Sequence, residues 1–465
     1  VLIRNASLVD ARRVDLRIEG ARLVALAAQL PPQPAEEVLD AQGGLMVAGL
    51  RDHHLHLQSA AAARAAIVCG PPQVMNAGQL ATRLREAARE GEGWLRGIGY
   101  HESVAGELDA DFLQDCVPDR PLRVQHRSGR LWILNRCALR EIGLRDADRD
   151  HPGERVQGRL SGRFYDADLW LRARVPRQRP PLHALSRELA SRGVVALCDA
   201  TPHNSPDDFA HFADAQARGE LLQKLMLMGD ASLDAQRALP GLVVGAHKFH
   251  LHEHDLPGFD VLCAQIRAAH AAGRAAAFHC VTRTDLSFAL AALEEAGAQP
   301  GDRIEHAAVT PPELMDWIAR LKLRVITQPQ FIAERGDAYA REVEAQDQPW
   351  LYRLRGFITA GVPLAAGSDA PFGALDPWAA MQAAVTRRSA GGVLLGEAEA
   401  LSPEEALSLF TAPLTQPQRG PLLPAPDAPA DLCLLQQDWR SLRGALDRAR
   451  VRACWREGRL IHRAD

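Results

Sequence analysis

The sequence predicts an α/β protein: a (β/α)8 TIM-like barrel with a small β-sandwich built from both chain termini. Three observations carry that reading. Short apolar strands alternate with helical stretches through the middle of the chain, several strand ends recur at the spacing of βα units, and the two ends share a different, alternating pattern. At 465 residues the chain is long enough for one large barrel with an appendage.

Near the start, Val14-Asp15-Leu16-Arg17-Ile18 alternates, Glu19-Gly20 turns, and Arg22-Leu23-Val24-Ala25-Leu26 resumes. Near the end, Val451-Arg452-Ala453-Cys454-Trp455, Glu457-Gly458 and Arg459-Leu460-Ile461-His462 repeat the plan. Period-two apolar residues around a glycine turn predict antiparallel hairpins. Neither end has enough strands to bury a sheet face alone. Residues 1–47 and 420–465 are therefore expected to form one composite sandwich, with the proline-rich stretch from Pro421 to Pro429 as its connector.

Residues 48–419 are assigned to the barrel. Its candidate strands are Leu45–Leu50, Val194–Asp199, Gln223–Met228, Gly245–Leu251, Ala275–His279, Arg303–His306, Arg324–Thr327 and Val362–Gly367. Lys248, His279 and His306 recur about every 30 residues, the length of a βα unit. The first two strands are too far apart for one connecting helix, which marks residues 58–190 as an insertion. It holds strand-like pieces at Trp94–Ile98 and Leu122–His126 and is expected to overhang the barrel mouth as a substrate-selecting lid.

Charge and composition narrow the partners. Fifty-four basic against 58 acidic residues leave a net charge of −4, which disfavours nucleic acid or an anionic membrane. No apolar run reaches the roughly 18–20 residues of a membrane span, and Val1-Leu2-Ile3-Arg4-Asn5 lacks a signal-peptide layout. The eight cysteines form no C-x-x-C pair and read as buried thiols of a reducing compartment. The expectation is a cytoplasmic protein acting on a small molecule, with a homodimer as the commonest assembly for such chains.

The strongest local signal is Gly49-Leu50-Arg51-Asp52-His53-His54-Leu55-His56, at the end of the first barrel strand. Residues two apart share a strand face, so His54 and His56 can both point into the mouth while His53 points away. Such a pair is half a metal site, although H-x-H also arises by chance among 17 histidines. Four more strand ends decide between these. Lys248 lies in Val244-Gly245-Ala246-His247-Lys248-Phe249-His250, His279 ends Ala275-Ala276-Ala277-Phe278-His279, His306 ends Arg303-Ile304-Glu305-His306, and Asp369 follows Leu364-Ala365-Ala366-Gly367-Ser368. One apolar strand ending in histidine is usually structural; five strands ending in ligand types at one rim point to a metal site.

His54-x-His56 followed by Lys, His, His and Asp at successive strand ends resembles the amidohydrolase superfamily of metal-dependent hydrolases. Gly93-Trp94-Leu95-Arg96-Gly97-Ile98-Gly99-Tyr100, Asn135-x-x-Ala138-Leu139, and Gly367-Ser368-Asp369-Ala370-Pro371 with Asp376-Pro377-Trp378 resemble its branch called amidohydrolase family 3. The resemblance implies that His54, His56 and Asp369 hold one divalent ion, of the zinc type, and that His279 and His306 hold a second. Lys248 then bridges the two as a carbamate; with Lys248 unmodified, one ion is implied, because an ammonium offers a cation no lone pair. The resemblance further implies that a metal-activated hydroxide would add to the carbonyl carbon of an amide, N-acyl or cyclic ureide-like substrate so that its carbon–nitrogen bond breaks, with Asp369 taking the proton and passing it to the leaving nitrogen.

Four residues are candidate substrate contacts. Strand alternation places His250 and His252 on the face of Lys248, where His250 could instead compete as a ligand. Arg130, in Ser128-Gly129-Arg130, stands where the branch often has Asp-Gly-His and suits an anionic or carbonyl-rich substrate, or else a structural ion pair. Gln328, after the seventh strand, either lines the pocket or caps a turn. Two other readings stand beside the hydrolase: a one-metal deaminase of an aminated heterocycle, and a non-catalytic relative that keeps the barrel.

Overall fold

Eight parallel strands follow one another around the central sheet in strict chain order: β1 (Leu50–Leu55), β2 (Val194–Asp199), β3 (Lys224–Gly229), β4 (Leu242–His250), β5 (Ala276–Cys280), β6 (Arg303–His306), β7 (Arg324–Thr327) and β8 (Leu364–Ala366). The segment after β8 returns to β1: Asp369 N donates to His54 O at 2.7 Å and His56 N to Ala370 O at 2.9 Å. Every residue of β2 is buried, as expected for a parallel strand covered on both faces. Helices between the strands start on explicit signals; Thr282 with Asp285, and Ser205 with Asp208, form reciprocal capping boxes.

This computed structural model describes residues 1–71, 73–90, 92–176, 179–415 and 420–464, without the side chains of 168 and 169; the predicted sandwich boundary at 419 lies outside the described residues. The chain divides into two units, Val1–Ala60 with Leu182–Asp465, and Ala61–Pro181.

Seven of the predicted barrel strands are found within about three residues of their expected positions. The first is corrected. Met46–Ala48 pairs antiparallel with Leu432–Leu435 in a terminal sheet, and the barrel strand begins only at Leu50. Gly49 sits between them, where a Cβ would lie 2.6 Å from both γ-carbons of Val195. The chain can pass that close to β2 only without a side chain. A single apolar run thus feeds two sheets, and periodicity gives no sign of the change.

The termini contribute two four-stranded sheets. One runs Arg22–Ala27, Arg13–Glu19, Leu2–Ser7, Val38–Asp40; the other runs Arg459–Arg463, Val451–Arg456, Leu432–Leu435, Met46–Ala48. Ile3, Leu16 and Ile18 from the first share one buried cluster with Met46, Leu434 and Trp455 from the second, so residues far apart in sequence bury one another's faces. The four terminal strands read as hairpins are all present, while Val38–Asp40 adds a parallel partner to Leu2–Ser7.

The Ala61–Pro181 unit is built on a six-stranded sheet, ordered Gly153–Val156, Arg159–Tyr165, Leu131–Leu134, Leu122–His126, Leu95–Tyr100, Ile67–Val68. Asn135, one of the family-like landmarks, is fully buried and holds this unit together. Its Oδ1 accepts from Leu122 N and Ala138 N, and its Nδ2 donates to Val117 O and Arg120 O. Among the described residues, no helix is long and apolar enough to cross a membrane.

Candidate metal centre

The carboxyl ends of the barrel strands bring the predicted residues to one place. His54 lies near the end of β1 and His56 directly after it, and their Nε2 atoms lie 3.4 Å and 3.3 Å from Asp369 Oδ1. One ligating atom from each of the three residues lies within 4.8 Å of the others. The His306 ring sits 4.7 Å from that of His54, and the His279 ring 4.5 Å from that of His306, so the line of imidazoles continues across β6 to β5. His53 points the other way, buried, with Nε2 3.2 Å from Ala412 O.

The backbone is shaped to make this convergence possible. His306 and Asp369 have φ of +68° and +51°, left-handed conformations that cost a side-chain-bearing residue on the order of 1 kcal/mol each. Asp52, buried beneath them, accepts from His54 N at 3.1 Å and Ser368 N at 2.9 Å, tying β1 to the segment that carries Asp369. Asp199 does the same on the other side, accepting from Leu57 N, Thr201 N and the Asn204 amide.

Three of the four imidazoles have a partner on the outer nitrogen. His54 Nδ1 meets Glu305 Oε2 at 2.5 Å, His56 Nδ1 meets Thr201 Oγ1 at 3.0 Å, and His306 Nδ1 meets Gln328 Oε1 at 2.8 Å. Burial pushes the imidazolium forms of His54, His279 and His306 down, His306 to about 3, so neutral rings with free lone pairs prevail. Burial alone would raise the Asp369 carboxyl, but the facing His56 side chain leads the opposing effects, and the group is held down to about 2.

The inner atoms fit a cation. His54 Nε2, His306 Nε2, Asp369 Oδ1 and Lys248 Nζ are all buried without a hydrogen-bond partner. Leaving several such atoms together unsatisfied would cost several kcal/mol, at about 1–3 kcal/mol each, unless something coordinates them. Lys248 is buried inside the barrel on β4, and burial drives its ammonium pKa down, which suits the neutral amine that carbamate formation needs. Glu253, five residues further along the chain, accepts from Thr284 Oγ1 at 3.0 Å.

The four candidate substrate contacts separate. Strand alternation from Lys248 to His252 is corrected: β4 ends at His250, and His252 lies in the following loop. Both imidazoles are exposed, with the His250 ring 4.4 Å from His279 and 4.3 Å from His252. Gln328 is fully buried as the partner of His306. Arg130, in the Ala61–Pro181 unit, is exposed and forks onto Asp166 through Nε at 2.8 Å and a terminal nitrogen at 2.5 Å.

Sequence reading missed Glu305, Arg303, Asp52 and Thr201. A signal was available for the first two: Arg303 and Glu305 sit two apart in a short strand, opposite charges on one face of a buried segment.

A parallel barrel whose strand ends converge histidines and a carboxylate defines the class of protein, an α/β barrel with a candidate metal-binding group at its mouth. A family model described as the amidohydrolase family matches residues 37–462, and the chain belongs to that family. It is 24% identical over 429 residues to "Putative amidohydrolase YtcJ" of Bacillus subtilis (strain 168), covering 81% of this chain and 80% of that one. It is 23% identical over 476 residues to the N-substituted formamide deformylase of Arthrobacter pascens, covering 88% of each. Its fold matches an uncharacterized metal-dependent hydrolase from Pyrococcus horikoshii OT3 with a TM-score of 0.79 at 18% identity, over 96% of this chain and 99% of that one.

Proposed function

We propose that this amidohydrolase-family protein is a metal-dependent hydrolase that cleaves the carbon–nitrogen bond of a small amide, N-acyl or cyclic amide substrate. The observation that carries the reading is the approach of His54, His56 and Asp369 within 4.8 Å, beside buried imidazoles with unpartnered nitrogens. The likeness to a formamide deformylase over most of both chains favours an amide as the bond attacked.

His54, His56 and Asp369 would hold one divalent ion, of the zinc type, and His279 with His306 a second if a carbamate on Lys248 links the two. Bound there, such an ion acidifies a water and polarises the substrate carbonyl. The residues of the chain do the rest. Asp369, ionised and facing both His54 and His56, is placed to take a proton at its carboxylate and return it to the leaving nitrogen. The buried floor of Asp52, Glu305 and Gln328 keeps the ligands aimed, while His250 and His252 stand exposed beside His279 to contact the substrate.

The test is a panel of N-substituted formamides, N-acyl amino acids and cyclic ureides offered to protein stripped with chelator and then reloaded with Zn2+. Turnover of at least one amide class, lost on stripping and restored on reloading, is expected. Ammonia release from aminated heterocycles alone would favour the deaminase, and full activity in metal-free protein would overturn the proposal.

A further inference from the structure

The hydrogen-bonding atoms around His54 differ from those around its neighbours in one respect: its outer nitrogen faces a charge. Glu305 is fully buried, and its Oε2 lies 2.5 Å from His54 Nδ1. The carboxylate is itself gripped by Arg303, whose Nε binds Oε1 and whose terminal nitrogen reaches Oε2 at 3.0 Å. The same terminal nitrogen donates to His53 O at 2.9 Å, so one guanidinium clamps both Glu305 and the backbone beside His54. Arg303 is also buried, which leaves each member of the pair with the other as its charge partner.

We propose that Glu305, held by Arg303, is the positioning residue that fixes His54 as a metal ligand, by forcing its Nδ1 to carry the proton and leaving the Nε2 lone pair free for a cation on the side it shares with Asp369. The reasoning is one of hydrogen-bond inventory. An ionised carboxylate only accepts, so the hydrogen must be on Nδ1. The Thr201 hydroxyl facing His56 can donate or accept, and so allows either tautomer. A charged acceptor also makes the ring a better electron donor to a cation than a neutral one does. The inference rests on the hydrolase reading only in taking His54 as a ligand; it concerns affinity for the ion, not the reaction.

The experiment measures Zn2+ affinity of the full chain by competition with a chromophoric chelator, without substrate. Glu305→Gln keeps the shape but can present either a donor or an acceptor to His54; about a 10–100-fold loss of Zn2+ affinity is expected. Thr201→Val should cost less than Glu305→Gln, since no charge is removed. Because Glu305→Gln also strips Arg303 of its counter-charge, Glu305→Asp is measured beside it, with partial recovery expected. A metal-free melting temperature lowered in Glu305→Gln with affinity unchanged would assign the pair to fold stability alone and overturn the proposal, as would failure of both Glu305 variants to fold. Wild-type protein that binds no Zn2+ would instead sink the hydrolase reading itself, so the two failures are distinct.

Discussion

The side-chain amide of Gln328 lies 2.8 Å from His306 Nδ1, fully buried, on the strand end next to the one that carries the imidazole. With the amide oxygen turned to the ring, this contact pairs with a hydrogen on Nδ1 and frees Nε2, which has no hydrogen-bond partner of its own. Gln328 is thus better placed to aim a ligand than to touch a substrate. Gln328→Leu should weaken loading at the His306 side, lowering divalent-metal affinity by about 10–100-fold. The stoichiometry of retained metal after dialysis checks this, and a rise in KM with unchanged metal content would return Gln328 to the substrate.

Asp369 differs from the imidazoles in being both a proposed ligand and an ionised carboxylate within reach of two of them. Asp369→Asn keeps an oxygen for coordination but removes the basic site. Metal content should fall modestly, while kcat drops by about 10²–10⁴-fold, the usual worth of a general base. Metal analysis and turnover on the same preparation separate the two effects; an unchanged kcat would remove Asp369 from proton transfer.

How much of this was legible in the sequence follows from the range of the forces involved. The hairpins at Val14–Leu26 and Val451–His462 show in local alternation, and the strand ends at His279 and His306 show as apolar runs closed by a polar residue, because burial of each strand is a local property. The division of the run Leu45–Leu50 between two sheets depends on Val195, far along the chain, and no local pattern encodes it. The same holds for the inner supports. Glu305 meets His54 across 251 positions of sequence and Asp52 meets Ser368 across 316, so their partners emerge only when β1, β6 and β8 are side by side. Arg130 is the reverse case: its position allowed a substrate contact or a structural ion pair, and Asp166 supplies the fork partner for the second reading through a turn that the sequence does not advertise.

Acid stability offers a check remote from the metal. Glu405 caps the Pro403–Thr411 helix from its first turn and pairs with Arg355, whose two terminal nitrogens lie 2.5 Å and 2.6 Å from its carboxylate. The guanidinium bond outweighs burial and holds the Glu405 carboxyl at about 2, below its ordinary 4.5. A depressed folded-state pKa stabilises above the unfolded value and loses that contribution as the carboxylate is protonated. Glu405→Gln should therefore cost about 1 kcal/mol near neutral pH, after allowing for solvent screening of a partly exposed pair. The gap to wild type should close between pH 4.5 and about 2. Urea midpoints across that range give the answer; a gap independent of pH would show that shape, not charge, matters at this position.

Gly367 provides the strictest geometric test of the site. It lies between β8 and Asp369, and a Cβ at this position would stand 2.3 Å from His54 N, 2.7 Å from His54 Cβ and 2.8 Å from Asp52 Oδ1. Two of those atoms are the backbone nitrogen and the first side-chain carbon of His54, so no flexible tip can move aside. Gly367→Ala must push β1 away from the segment that carries Asp369, lengthening the approach of His54 and His56 to its carboxylate. The predicted result is a loss of divalent-metal affinity of at least about tenfold, with overpacking costing about 1–3 kcal/mol of stability. Gly301→Ala, where the nearest atom is the Ala275 Cβ at 3.1 Å and φ is +107°, strains a turn at the amino-terminal ends of the strands and serves as the control. It should lower stability while leaving metal affinity intact. Equal metal affinity in Gly367→Ala and wild type would mean that the close passage of Gly367 across His54 does not set the spacing of the ligands.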